Sequence, residues 1–292
     1  MKNITFDKKL SNGRIAYERF AELQNIIKET SDKELCINFY YDGRIGKTFL
    51  FLMCCCLFIT AQAFDKSIKK INTPKRTLDK MIESGILSSG KRKTLINLLK
   101  KNQPIVPVAE KIIAGIPIKF NARSRLLEDI VSRVGEILNN ALEHSGAELI
   151  YIGKYRKSRR RYCFACYDPG VGIPNKVREY FMQRGGSDQL TDKKALEWAI
   201  KSGNSTVSDH LYPRGAGLSL LQNFVESNHG QITICTGKAL YSYLYKESTK
   251  NCDGVFKELK IPFVGTLFEM DFVADGWIYQ YKGENENGYK GE

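Results

Sequence analysis

Residues 162–174 read YCFACYDPGVGIP. The apolar first half has the composition of a strand. It closes on Asp168, and Gly170 and Gly172 then form a turn where backbone can approach a flat ligand closely. An apolar strand ending in Asp is also the usual companion of a phosphate-binding P-loop, as a magnesium ligand, but the D-x-G-x-G that follows here argues against that role. Cys163 and Cys166 make a C-x-x-C. In a strand, residues three apart point to opposite faces, so the pair reads as neither a zinc nor a redox site.

Upstream lies a long helix, running from about Asn121 to His144. Leu127, Ile130, Val131, Val134, Leu138 and Ala141 form its apolar face. Glu136, Asn140 and His144 recur at four-residue steps and make a stripe on the other side. Two hairpin strands, AELIYIGKY and RYCFACYD, follow and are joined by the basic connection KYRKSRRRY. Downstream, Asn175 to Arg214 is polar and contains Gly, with one helical piece, DKKALEWAIKSG. RGAGLSLL then places Gly215 and Gly217 at a helix N-terminus, where free N–H groups and the helix dipole favour phosphate. The strands QITICTG and GTLFEMDFV complete the region.

Together and in this order, these motifs resemble the GHKL ATPase superfamily, which includes DNA gyrase B, the heat-shock chaperone and histidine kinases. EILNNALEHS matches the N box, DPGVGIP the first glycine box, RGAGLSLL the second and GTLF the third. The resemblance covers Ala122 to Asp275 and implies a Bergerat-type α/β sandwich with a mixed sheet, ATP and Mg²⁺ as cofactors, and a mobile ATP lid over Asn175–Arg214. It implies that Asp168 accepts a hydrogen bond from the adenine amino group, supported by Thr266 through water. Asn140 is implied as the Mg²⁺ ligand, in keeping with the metal's preference for oxygen. Gly170 and Gly172 line the base. Gly215 and Gly217 cradle phosphate, Arg214 clamps it, and His144 lies near it. Glu136 stands where most histidine kinases have Asn, and where gyrase-type ATPases and anti-sigma-factor serine kinases have Glu. That Glu orients water or deprotonates a hydroxyl, so slow hydrolysis and Ser/Thr phosphorylation both stay open. The chain's three histidines are His144, His210 and His229, which leaves no histidine-kinase phosphoacceptor helix.

Ahead of this region, residues 1–115 read as a smaller α/β domain: a helix over AYERFAELQNIIKET, a strand over ELCINFYY and a buried helix over GKTFLFLMCCCLFITAQAF. Helical stretches are expected at Thr77–Ser84 and Arg92–Lys101, and Pro104 and Pro107 mark the boundary with the nucleotide-binding domain, 116–275. The tail 276–292 reads as disordered. YDGRIGKT, residues 41–48, has only Arg44 and Ile45 between its glycines, whereas a P-loop needs four residues there. It reads as a strand–helix turn. The domain resembles the STAS fold of anti-sigma antagonists, whose acceptor Ser is replaced here by Thr48.

Composition bounds the rest. The apolar run Phe49–Thr60 is too short to span a bilayer, which takes about 20 residues. No N-terminal signal peptide is expected. The eight cysteines read as reduced core residues of a cytoplasmic protein. Residues 1–130 hold 24 Lys/Arg against 13 Asp/Glu, while the remainder holds 21 against 19. An excess concentrated in the first part can attract an acidic protein, a nucleic acid or a membrane surface. The partners expected are a protein engaging the N-terminal domain or the lid, a nucleic acid on the basic surfaces, or a second copy of the chain. Slow ATPase, protein kinase, nucleic-acid-associated effector and ATP-sensing scaffold are the competing functions.

Overall fold

The computed structural model describes residues 2–6, 13–39, 47–72, 96–100, 103–143, 145–156, 159–186, 189–201, 203–204 and 217–280. It is an α/β protein built in layers. The first layer is a three-stranded parallel sheet of β1 (Lys2–Phe6), β2 (Glu34–Phe39) and β3 (Ser67–Asn72), with β2 in the centre. Its strands are connected by α1 (Arg14–Glu29) and α2 (Lys47–Ala63). Ile4, Ile37 and Ile71 stand in register across the three strands and are all buried.

α1 buries one face, with Ala16, Phe20, Leu23 and Ile27 at helical spacing. By contrast, α2 is buried on all sides from Leu50 to Ala61. It can be apolar all round because it is enclosed by β3 on one side, β6 (Leu149–Arg156) and β7 (Arg161–Asp168) on the other, and α1 beside it. Among the described residues, no helix is long and apolar enough to cross a membrane.

The central layer is a five-stranded sheet ordered β4-β6-β7-β9-β8, where β4 is Ile96–Lys100, β8 Gln231–Lys246 and β9 Asn251–Val273. Every pairing in it is antiparallel, and parallel pairing is confined to the other sheets. One face, with Tyr151, Ala165, Tyr167 and Leu267, packs on α1 and α2. The other, with Ile150, Phe164, Cys166, Phe268 and Phe272, packs on α3 (Ile105–Ala114), α4 (Leu126–Glu143) and α7 (Gly217–Asn228). Successive residues of β7 thus serve opposite cores, as strand periodicity requires.

Four expectations change. Residues 96–100, expected to be helical, are β4, hydrogen-bonded to the edge of β6. A short apolar run such as INLL has no periodicity that separates the two states. Elements on the two sides of 115/116 also pack together: β4 pairs with β6, and α3 packs on α4. The prolines that suggested a break open α3 instead. Pro104 is its N-cap and Pro107 lies in its first turn, where backbone N–H groups have no intrahelical acceptor to lose. Residues 276–280 are ordered too: β10 (Ile278–Tyr279) pairs with β5 (Lys119–Phe120), and Tyr279 meets Phe224 edge to face at 5.6 Å. The fourth change is a helix the sequence reading lacked, α5 (Ile173–Met182), ahead of α6 (Asp192–Ala199). The expected helix at Thr77–Ser84, residues 41–46 of YDGRIGKT and tail residues 281–292 lie outside the described residues.

Candidate functional site

The site forms where β7 ends, α4 ends and β9 bends. Asp168 is the last residue of β7 and pairs with Thr266 of β9. It is 5 % exposed, and its Oδ1 accepts the Gly170 N–H at 3.0 Å. The Thr266 backbone N–H also donates to it. Burial pushes the carboxyl up to about 7, against the opposing pull of these two hydrogen bonds. A carboxyl group placed this way prefers a ligand that donates a hydrogen bond to it and supplies the stabilisation lost with water.

Backbone closes around Asp168 on two sides. At Gly170 a Cβ would lie 2.1 Å from the Ser145 carbonyl oxygen, and at Gly265, where φ is +76°, one would lie 1.9 Å from that of Asp168. No side chain fits at either position without displacing backbone. Ser145 joins this cradle to α4. Its carbonyl accepts the Val171 N–H at 2.9 Å, and its hydroxyl donates to the Ala141 carbonyl and accepts the Ala147 N–H at 2.9 Å. The last turn of α4, which carries Asn140, is thereby fixed to the Asp168 turn.

Thr236 is a member that sequence reasoning missed. Its hydroxyl donates to the Gly265 carbonyl at 3.0 Å and accepts the Ile173 N–H at 3.1 Å. It also lies 3.2 Å from the Thr266 hydroxyl, which then donates to it. The local signal was the Thr-Gly pair ending QITICTG, where the β8–β9 register shifts. Gly172 caps the N-terminus of α5 beside Thr236.

Asp168, Gly170, Gly172 and Thr266 are therefore brought together. Glu136 and Asn140 are not in that cluster; they lie on the exposed stripe of α4, one turn apart. The Glu136 side chain is 46 % exposed and ion-paired with Arg133. It also borders an open cavity of about 730 Å³ between α3 and α4, lined by Ile105, Val106, Leu127 and Val131, which contains no member of the Asp168 cluster. Leu127, expected on the apolar face, is exposed at this rim, while Ile130, Val134, Leu138 and Ala141 are buried. Gly217 is the first residue of α7. His144, Arg214 and Gly215 lie outside the described residues.

The first part of the expected lid is held in place. Arg178 of α5 donates to the Leu190 carbonyl at 2.8 Å and pairs with Asp192, whose other oxygen accepts the Lys238 N–H at 2.6 Å. Tyr180, Phe181 and Trp198 pack ring against ring at 5.2–5.6 Å, with the Arg184 guanidinium 3.9 Å over Tyr180.

Cys163 and Cys166 do lie on opposite faces of β7, and among the described residues no group of three His, Cys, Asp or Glu could hold a metal ion. The chain matches no protein-family model and no curated protein.

Proposed function

We propose that the chain is a GHKL-type protein that binds ATP at the Asp168 cluster and hydrolyses it slowly, with closure of the 175–214 segment coupling nucleotide state to a partner. The observation that supports this most is the buried Asp168 carboxyl in a cradle where two glycines exclude any Cβ. Its setting adds support: the element order is α4, hairpin β6–β7, Asp-Gly turn, α5, α6, α7, then β8 and β9.

In this reading Asp168 accepts the adenine amino group, and Thr266, held by Thr236, orients the water that assists it. Asn140 offers a neutral oxygen suited to Mg²⁺, which keeps several waters and phosphate oxygens in its shell. Bound Mg²⁺ would supply charge neutralisation at the phosphates. The resemblance assigns Gly215, Gly217, Arg214 and His144 to the phosphate chain, and the free N–H groups at a helix start such as that of α7 suit a phosphate. Glu136 orients a water or takes a proton from a hydroxyl. Its exposure favours a second reading, Ser/Thr phosphorylation of a docked protein, because a half-exposed carboxylate is within reach of another chain's hydroxyl. The N-terminal unit and the lid are the surfaces for a protein partner, including a second copy of the chain. The basic excess of residues 1–130 also suits a nucleic acid. The buried free thiols fit a cytoplasmic setting.

The test is calorimetric titration with a non-hydrolysable ATP analogue and Mg²⁺, paired with single-turnover phosphate release. Glu136→Ala is expected to bind as wild type does and to lose roughly 10²–10⁴-fold in turnover. Asn140→Ala is expected to weaken the Mg²⁺-dependent part of binding. Turnover that survives in Glu136→Ala would remove it from the mechanism.

A further inference from the structure

β9 runs past the end of β7. Asp168–Thr266 is the last rung between them, and on the other side the β8–β9 register jumps from Thr236–Thr266 to Gly237–Phe263. Val264 and Gly265 therefore form a bulge without ladder partners, and a buried peptide in that position needs other hydrogen bonds.

The N-terminal helices provide them. Gln24 of α1 accepts the Val264 N–H at 3.2 Å, and Asn25 donates to the Pro262 carbonyl at 2.8 Å. The Val264 carbonyl accepts the Tyr167 hydroxyl at 3.1 Å. That hydroxyl is held in turn by Gln24 Nε2 at 2.9 Å and Thr60 Oγ1 of α2 at 2.7 Å. Gln24 also donates to Thr60 at 3.1 Å. With its one proton the Thr60 hydroxyl donates to Tyr167, and the Cys56 carbonyl 2.8 Å away is its alternative acceptor. Gln24, Thr60 and Tyr167 are fully buried.

Each end of this network touches the neighbour of a site residue: Tyr167 precedes Asp168, and Val264 precedes Gly265 and Thr266. A shift of α1 or α2 must therefore move the bulge or leave buried polar groups unpaired, which is the costlier outcome. We propose that Gln24 and Thr60 are positioning residues for the Asp168 cluster, so that the N-terminal layer sets the geometry of adenine recognition. The adenine part of this statement rests on the function proposed above; the positioning part does not.

Two variants remove the hydrogen bonds while keeping volume, Gln24→Leu and Thr60→Val. Hydrogen exchange by peptide in the full chain is expected to accelerate about tenfold or more over 168–172 and 263–266, the loss carried by one or two buried hydrogen bonds. Phe268–Met270, in the middle of the same strand, should stay protected. Titration of the same variants with ATP and GTP should show weaker ATP binding and a smaller preference for adenine. Tyr167→Phe, which removes the hydroxyl from the sheet side, should reproduce the pattern. Exchange unchanged at both segments, or raised equally along the whole of β9, overturns the inference. If wild type binds no ATP, the proposed function fails, and the exchange pattern still decides whether Gln24 and Thr60 position the cluster. Wild-type ATP affinity and adenine preference retained in a variant whose two segments have loosened would overturn the link to recognition.

Discussion

The two faces of the five-stranded sheet are assembled by different means. Against α3, α4 and α7 the contact is mainly apolar, with rings such as Phe164–Phe268 at 6.2 Å and Phe224–Phe272 at 5.9 Å, alongside hydrogen bonds between Asn228 and the Val273 backbone and from Gln222 to the Tyr241 hydroxyl. Against α1 and α2 the apolar contact is interrupted by buried polar groups: Gln24, Thr60 and Tyr167 at one end, and the Tyr17 hydroxyl donating to Glu269 at 2.6 Å further along. Apolar burial drives association but is tolerant of direction, whereas a buried hydrogen bond is satisfied in only one arrangement. Both faces bury large apolar cores, and the polar groups of the second also fix how the N-terminal layer sits.

That contrast is sharpest in substitutions that separate stability from alignment. Leu138→Ala, in the apolar face, is expected to cost about 2–5 kcal/mol in denaturant unfolding while leaving the adenine preference intact. Asp168→Asn, at the junction of the two faces, should do the reverse. Its melting temperature should hold while ATP affinity falls by about a hundredfold or more, because the carboxylate proposed to read the amino group is gone. A smaller effect is expected from Tyr17→Phe. Burial, and then the Glu269 carboxylate, push the Tyr17 hydroxyl up, so it stays a donor across the working pH range. Its loss removes one hydrogen bond from the buried Glu269 carboxylate and should cost about 1–3 kcal/mol, measured by urea titration.

The mildest test is pH. Asp168 titrates at about 7 in the folded chain against 3.8 without burial. The folded state therefore binds this proton more tightly, and its contribution to stability falls as pH rises from about 4 to 7 and is flat above. If Asp168 reads adenine as proposed, it does so ionised, and ATP affinity should rise about tenfold per unit up to about pH 7 and then level off. An affinity independent of pH between 5 and 7 would mean that Asp168 does not meet the ligand as a carboxylate.

Sequence alone exposed those parts of the site whose physics is local. An Asp closing an apolar strand, glycines where no Cβ fits and a helix with a polar stripe are visible without a fold, and the structure brings Asp168, Gly170, Gly172 and Thr266 together. Thr236, Gln24 and Thr60 were not legible, because each acts on a partner far away in sequence: Thr236 on the Gly265 carbonyl, Gln24 on the Val264 N–H, Thr60 on the Tyr167 hydroxyl. The α2 helix could be read because of its length and uniform apolarity. β4 could not, since five residues become a strand only when β6 offers an edge. Pro104 and Pro107 misled because proline disrupts a helix interior yet suits its first turn.

The cysteines have a practical consequence. Seven of the eight are buried, and burial raises the thiols of Cys54, Cys55, Cys56, Cys166 and Cys235, so none of these is a ready nucleophile in the folded chain. Cys252 is partly exposed, though raised to about 11. An alkylating reagent should then mark Cys252 first and reach the others only when the layer covering them opens. Cys36 and Cys54–Cys56 lie in the N-terminal layer, and Cys163, Cys166 and Cys235 lie in the sheet. The order in which peptides acquire label would therefore time the separation of the layers, using a stopwatch the chain already contains.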